Sequence, residues 1–406
     1  IVVSTSVPSP WCRSRSFPPF PDMRAAAAIS VHPVPSHATG EVIADILERF
    51  EERPDLALVC ATPALAGALD DICAAVAEIL DPVTLVGVTS SGILGGTTEV
   101  ESGPGLSLWV ATTGPADARL FSPNTSSTSI ADDIVDLISN SGAEEDGSGA
   151  VVLLMGDAVD FPATDVVEIV NARAPGAAIA GGLLSGWPGP SGVRLSVDGA
   201  VADGGGIAIV LAGVRFDIGV SHGCSPIGES MMITGAERTM IRTLDDRAAL
   251  DVAQDALWTV DADRRVESAR QLQLGVVVGA GPDGRREFDM LPVLGADRAN
   301  GAIALGSEVP VGTLARFHVR DVEFSTEDLR RSVVGPKADG ALVFTCTSRG
   351  EEHFGTRDHD AGIVSETLGT TAIGGVFCSA RIGPIGGESR LLGFAVVTVI
   401  FGRGHH

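Results

Sequence analysis

The sequence contains no tyrosine and a single lysine, Lys337. Its 28 Lys and Arg residues face 52 Asp and Glu residues, which leaves a net charge of −24. A nucleic-acid surface needs clustered cations to displace counterions. The few basic residues form no such cluster, so nucleic acid is not expected as a partner. An anionic membrane surface is set aside on the same ground. Nor is there an apolar stretch near the ~18–20 residues that span a bilayer. The longest late run, Leu391–Phe401, has strand length and β-branched composition. A secretory signal is missing too, because Ala25–Val31 is short and weakly apolar. Residues 1–22 are rich in Pro and Ser and read as a disordered leader or as sequence ahead of a true start at Met23. Cysteine pairs are absent: Cys12, Cys60, Cys73, Cys224, Cys346 and Cys378 form no CxxC. Most lie in apolar surroundings, as reduced buried thiols do, so a cytoplasmic location is expected.

What remains is an ordinary globular composition, 45% hydrophobic and 20% charged over 406 residues. A chain this long buries ~75% of its unfolded surface, enough for a large core. One pattern recurs three times. The first copy runs from an apolar strand Leu56–Ala61 through a helix Ala64–Leu80 to a small-residue strand Thr84–Gly92 and a further strand Leu106–Ala111. The second has Val151–Met155, a helix Ala163–Arg173 stopped before Pro175, Ala178–Gly186 and Ile207–Leu211. The third has Ala341–Cys346, a helix Asp360–Leu368, Thr371–Ala380 and Leu391–Phe401. Repeated β-α-β-β units predict an α/β fold of mixed sheets with flanking helices. Glycines in each second strand admit a close neighbour, either backbone or ligand.

The region between the second and third copies differs. Arg215–Thr234 reads as strand, turn, strand, and Asp245–Trp258 as a helix with Leu250, Ala253 and Leu257 on one face. Four strands follow near Leu272–Val278, Phe288–Val293, Ala302–Gly306 and Thr313–Val319, as in an antiparallel meander. Val322–Arg331 reads as a helix or charged connector, and Ser141–Gly149 as an exposed linker.

Three short motifs are more specific. Ser221–Gly228 (SHGCSPIG), Leu342–Gly350 (LVFTCTSRG) and Ile382–Gly387 (IGPIGG), the last leading to Gly393–Phe394, stand in order along the chain. Together they resemble the signature of FIST proteins, and the likeness covers nearly all of Met23 to Phe401. It implies a leader at 1–22, a lead-in at 23–53, an N-terminal FIST domain at 54–245, a C-terminal one at 246–390, and a final strand and tail at 391–406. It also implies an intracellular sensor of signal transduction that binds a small ligand such as an amino acid. The two halves leave no room for an effector, so output would pass through a separate signalling protein. Two positions depart from the family. Ala380-Arg381 stands where Gly-Glu is usual, reversing a charge, and Leu392 replaces a frequent His.

The residues offer little support for catalysis. Gly219–Gly223 matches G-x-S-x-G around Ser221, but extended sequence follows it where a nucleophile elbow needs a helix. Cys224 beside His222 would need a lowered pKa to act as a nucleophile. An enzyme built on Cys224 or Ser221 is therefore the alternative reading, and a ligand-free scaffold the third. His222, Cys224, His353 and His359 lack zinc spacing, and no phosphate loop occurs, so neither metal nor cofactor is expected. The ligand candidates are the small-residue strand ends, since open α/β sheets bind ligands beyond the carboxyl ends of their strands. These are Ser90, Ser91 and Gly92; Gly182 and Ser185; and Ser379. His222 and Cys224 lie in the motif turn. Arg349 and Arg381 would add charge-assisted bonds to a carboxylate, although Arg349 also has surface pairing with Glu351, Asp358 or Asp360 open to it.

Overall fold

The computed structural model describes residues 23–147, 149–186, 192–281, 284, 286–333, 335 and 337–402. The expected leader at 1–22 lies outside the described residues, as does Ser148 of the expected linker. The first repeat comprises β1 (Ala25–Ser30), α1 (Pro35–Arg49), β2 (Leu56–Ala61), α2 (Leu69–Leu80), β3 (Thr84–Thr89), a hairpin of β4 (Ile93–Gly95) and β5 (Thr98–Val100), and β6 (Leu106–Ala111). The second comprises β7 (Ala116–Phe121), α3 (Ser127–Asn140), β8 (Ala150–Asp157), α4 (Ala163–Arg173), β9 (Ala178–Leu184), a hairpin of β10 (Arg194–Val197) and β11 (Ala200–Asp203), and β12 (Gly206–Ala212).

The third repeat opens with β13 (Phe216–Ser221) and is then interrupted. The interruption holds β14 (Cys224–Glu237), β15 (Met240–Leu244), β16 (Arg247–Ala248), α5 (Ala249–Trp258), α6 (Arg265–Arg270), β17 (Gln273–Ala280), β18 (Arg286–Asp297), β19 (Ala302–Leu305) and β20 (Leu314–Arg320). The repeat resumes with α7 (Val322–Ser332), β21 (Gly340–Cys346), α8 (Glu351–Phe354), α9 (His359–Leu368), β22 (Ile373–Ile385), β23 (Glu388–Leu392) and β24 (Val396–Phe401).

The strand order is the same in each repeat: β1-β6-β2-β3, β7-β12-β8-β9 and β13-β24-β21-β22. The second and third strands pair in parallel across their helix. The repeat is thus longer than β-α-β-β, since a strand and a helix precede it each time. The lead-in at 23–53 supplies those two elements to the first copy, with α1 starting at Pro35, where a proline suits the first helical turn. The hairpins are exchanged in a cycle. β10 of the second repeat pairs with β3 of the first, and β4 of the first pairs with β22 of the third. The far half of β22, which forms a hairpin with β23, pairs with β9 of the second.

Alternation along each strand divides the core. Leu56 and Leu58, Val151 and Leu153, and Leu342 and Phe344 face one shared inner core. Their neighbours Ala57 and Val59, Val152 and Leu154, and Ala341 and Val343 face three outer cores under the helices. Burial on both faces explains why these strands read as continuous apolar runs. The third strands carry glycine where they cross the second. Gly181 (φ +151°) and Gly375 (φ +157°) lie so close to their neighbours that a Cβ would fall 1.9 Å from the Leu154 carbonyl oxygen and 2.0 Å from that of Val343. At both points the close neighbour is backbone.

The interruption is a small closed barrel and corrects the meander reading. β17, β18 and β19 follow one another as expected, but β20 returns to pair with β17 and β14. β14 closes the ring, pairing with β20 along its first half and with β15 along its second. Helix α5 packs Ala249, Ala253 and Ala256 against Ile233, Leu274 and Phe317 in the barrel core. It starts at Ala249 rather than Asp245, because Asp245 and Asp246 adopt positive φ in a turn and the Asp245 carboxylate accepts from the Met232 amide at 2.8 Å. Among the described residues no helix is long and apolar enough to cross a membrane.

Candidate functional site

The third strands end in matching residues. β3 runs out into Ser90-Ser91-Gly92, β9 from its last residue Leu184 into Ser185-Gly186, and the first half of β22 reaches Cys378-Ser379-Ala380. The first two ends are bound together. Ser91 donates its amide to the Ser185 carbonyl at 2.6 Å, and their hydroxyls are 2.9 Å apart. Ser90 donates its hydroxyl to the Phe377 carbonyl at 2.5 Å, and the Phe377 amide donates to Gly92 O at 2.9 Å. A cavity of about 320 Å³ opens here, lined by Ser91, Gly92, Glu101, Ser185, Gly186, Thr347 and Phe377. Ser91, Gly92 and Ser185 of the sequence-derived set therefore line one cavity, and Ser90 anchors its wall. Gly182 packs against protein, since a Cβ there would lie 2.5 Å from Cys378 Sγ. Ser379 is exposed and donates its hydroxyl to the Leu183 carbonyl at 3.2 Å.

The other candidates gather in a second, buried cluster where the barrel joins the third repeat. Cys224 opens β14 and pairs in register with Arg320, the last residue of β20. Arg320 donates to the hydroxyl of Ser348, just beyond β21, at 2.5 Å. Arg381 on β22 is fully buried and donates Nη1 to the carbonyls of Cys378 and Ser379 at 3.0 and 3.2 Å. The buried imidazole of His222 has no hydrogen-bond partner among the described residues, and burial pushes it down to about 4. Arg349 forms a bidentate pair with Asp360, both contacts at 2.9 Å. That pair is buried, which corrects the surface reading: α9 presents Asp360 to the interior, where Thr345 and His359 also bond it at 2.6 and 2.9 Å. Burial would raise the Asp360 carboxyl, but the charge and hydrogen bonds of Arg349, with those of His359 and Thr345, hold it well below the usual range.

The nucleophile alternatives fare differently from the thiol beside them. Ser221 is fully buried and donates its hydroxyl to the Asp328 carboxylate at 2.7 Å. A strand follows it, as the sequence implied. Burial pushes the Cys224 thiol up to about 12. Cys346 lies within the second motif, Leu342–Gly350, at the end of β21. Burial would raise its thiol too, yet Arg381, the hydroxyl and amide of Ser348, and Arg320 outweigh that and hold it below its ordinary value. Its Sγ lies 2.9 Å from Ser348 Oγ. The sequence signal was a run of small polar residues ending in Arg directly after a buried strand.

The cluster joins all three motifs, His222 and Cys224 from the first, Cys346 and Arg349 from the second, and Arg381 at the edge of the third. Residues 55–247 match the FIST N domain and residues 249–384 the FIST C domain. The chain belongs to the FIST family. It is 31% identical over 401 residues to an uncharacterized protein of Mycobacterium tuberculosis, covering 93% of this chain and all of that one. It is 33% identical over 361 residues to an uncharacterized protein of Mycobacterium bovis, covering 86% of this chain and 91% of that one. FIST domains are signal-transduction sensor domains. The FIST N match ends inside the barrel at Ala248's neighbour Arg247, so the barrel and the third repeat share strands from both matched segments.

Proposed function

We propose that this FIST protein is a sensor whose small ligand sits in the cavity at the ends of β3 and β9, with an amino acid as the ligand class. The observation that carries the reading is this cavity, where the strand ends of two repeats meet the third. Its volume of about 320 Å³ is at the lower end for ligand pockets, which suits a molecule of amino-acid size better than a nucleotide. Its lining is divided chemically. Ser91, Ser185 and Thr347 offer hydroxyls to a carboxylate, Glu101 offers a carboxylate to an ammonium, and Phe377 offers an apolar wall. Charge-assisted bonds at the Glu101 end favour a zwitterion over a simple carboxylate. Output through a separate signalling protein, in the cytoplasm, is part of the same proposal.

A titration calorimetry panel of amino acids, the corresponding amines and the corresponding carboxylic acids tests it. The expected result is binding confined to ligands that carry an ammonium group, weakened at least ~10-fold by Glu101→Gln. Gln keeps the acceptor for the Glu351 amide, which bonds Glu101 at 2.8 Å. A flat panel, or equal binding by wild type and Glu101→Gln, overturns the reading.

A further inference from the structure

Glu101 makes two kinds of contact at once. It lines the strand-end cavity, and its Oε1 accepts the amide of Glu351, the first residue of α8, at 2.8 Å. A carboxylate from the first repeat therefore joins the cavity to a helix of the third. It leaves from a fixed point. Two residues earlier, Glu99 in β5 accepts the Ala361 amide on Oε1 at 2.7 Å and donates its own amide to the Asp358 carboxylate at 2.6 Å. Those bonds fasten β5 to the start of α9.

Gly350 decides how near Glu101 can come. A Cβ there would lie 2.1 Å from Glu101 Oε2 and 2.5 Å from its Cδ. The φ of Gly350 is 177°, extended backbone that any residue adopts, so the glycine answers to contact and not to conformation. With Oε1 on the Glu351 amide, Oε2 is the oxygen open to an ammonium. α8 itself is poised. It has four residues and none is buried, and a single helical turn is not stable alone. Its far end rests on the Phe354 ring, stacked on His359 at 3.4 Å between centroids and facing the Arg349 guanidinium at 5.0 Å. Its near end rests on Glu101. Thr347, three residues before Gly350, lines the same cavity, so a ligand there borders the approach to α8 on both sides.

We infer that Gly350 is the positioning residue for Glu101, and that Glu101 bridges the ligand's ammonium to α8, so that α8 reads whether the cavity is occupied. The inference rests on the amino-acid reading of the cavity. Without an ammonium, the exposed carboxylate yields the Glu351 amide to water whenever the side chain turns. An ammonium on Oε2 fixes the carboxylate, keeps Oε1 on the amide and prolongs the folded turn. The coupling is reciprocal: whatever orders α8 tightens the ligand by the same factor.

Hydrogen exchange followed by mass spectrometry on the full chain tests it, with each amino acid of the calorimetric panel as the probe and β21 as the internal reference. Without any amino acid, Gly350→Ala should exchange the amides of residues 351–355 at least ~10-fold faster than wild type, with β21 unchanged. An amino acid that binds should slow those amides in wild type and not in Gly350→Ala. By calorimetry Gly350→Ala should weaken binding at least ~10-fold, and adding Glu101→Gln should cost nothing further, since both act through one contact. A glycine with a merely structural role would give losses that add. Should Gly350→Ala fail to fold, Glu101→Ala, at an exposed position, carries the exchange comparison. The inference is overturned if the folded variant exchanges residues 351–355 as wild type does, if a bound amino acid leaves them unchanged, or if the two losses add. Binding without a change at α8 overturns the bridge alone. A panel without binding overturns the cavity reading and the bridge with it.

Discussion

Asp360 is the residue on which most of the buried polar cluster converges. It accepts both bonds of the Arg349 fork and further bonds from Thr345 and His359. His359 is itself placed by stacking on Phe354, with ring centroids 3.4 Å apart, and by Thr326 Oγ1 at 2.9 Å from its Nε2. Removing one partner of a fully buried pair leaves the other charge uncompensated, a loss of about 3–5 kcal/mol. Asp360→Asn should therefore lower unfolding stability in urea by that order. A loss under ~1 kcal/mol would show that water reaches Arg349. The sequence made part of this legible. It named Arg349 and offered Asp360 as one of three partners, but it put the pair at the surface, because nothing in SRGEEHF tells which side of a strand end the next helix covers. Ser91, Gly92 and Ser185 were legible for a better reason: small hydroxyl residues directly after a buried parallel strand must lie at its carboxyl end. Cys346 was hidden because its character comes from Arg381 and Arg320, one distant in sequence and the other inside the barrel.

At the level of the element, the equivalent glycines of the three repeats give a graded prediction. Gly87, Gly181 and Gly375 pair with Val59, Leu154 and Val343, in the same place in each parallel pair. A methyl group at Gly375 would fall 2.0 Å from the Val343 carbonyl oxygen, which is backbone and cannot turn aside. At Gly87 the nearest atom is Cys73 Sγ at 2.6 Å, the end of a side chain that can rotate. Gly375→Ala should cost about 3 kcal/mol or more, and Gly87→Ala about 1 kcal/mol. Equal melting temperatures for the two variants would mean that β21 and β22 part easily. The β-α-β-β portion of each repeat was legible because its strands are apolar on both faces. The leading elements were harder to see. β7 is an edge strand with alternating polar residues, ADARLF, and β1 is mostly alanine, a weak strand former held by pairing with β6. α3 carries Ile130, Ile134 and Ile138 at helical spacing behind its Ser126 cap, a signal that could have been read. The barrel order was not legible, since β14 must pair with both β20 and β15, and only tertiary closure sets that register.

For the whole molecule, opposing buried groups should give stability a maximum in pH. His222, His318 and His353 are each pushed down from 6.5 to about 4, chiefly by burial. Between those values the unfolded chain binds protons that the folded chain refuses, so stability rises with pH across that window. Glu99 acts in the other direction. It is half-buried beside Asp360, Glu101 and Asp358, and desolvation first, then those carboxylates, raise it from 4.5 to about 8. Between these values the folded chain keeps a proton that the unfolded chain has lost, so stability falls as pH rises. Asp157 and Asp289, also raised by burial, act with Glu99 near the foot of its range, above their ordinary 3.8. Below 6.5 the three imidazoles set the slope, and above it Glu99 does, which places the maximum near 6.5. Glu99→Gln isolates the alkaline limb. It keeps the acceptor for the Ala361 amide, at 2.7 Å, and cannot ionise. In urea titrations at a series of pH values, the variant should gain about 1 kcal/mol or more over wild type at pH ~8 and little at pH ~5. The acid limb should be unchanged, because its imidazoles are untouched. If wild type and variant run parallel from pH ~5 to ~8, Glu99 is ionised in the folded chain. The carboxylates around Asp360 would then be balanced by Arg349 and its neighbours rather than by a retained proton.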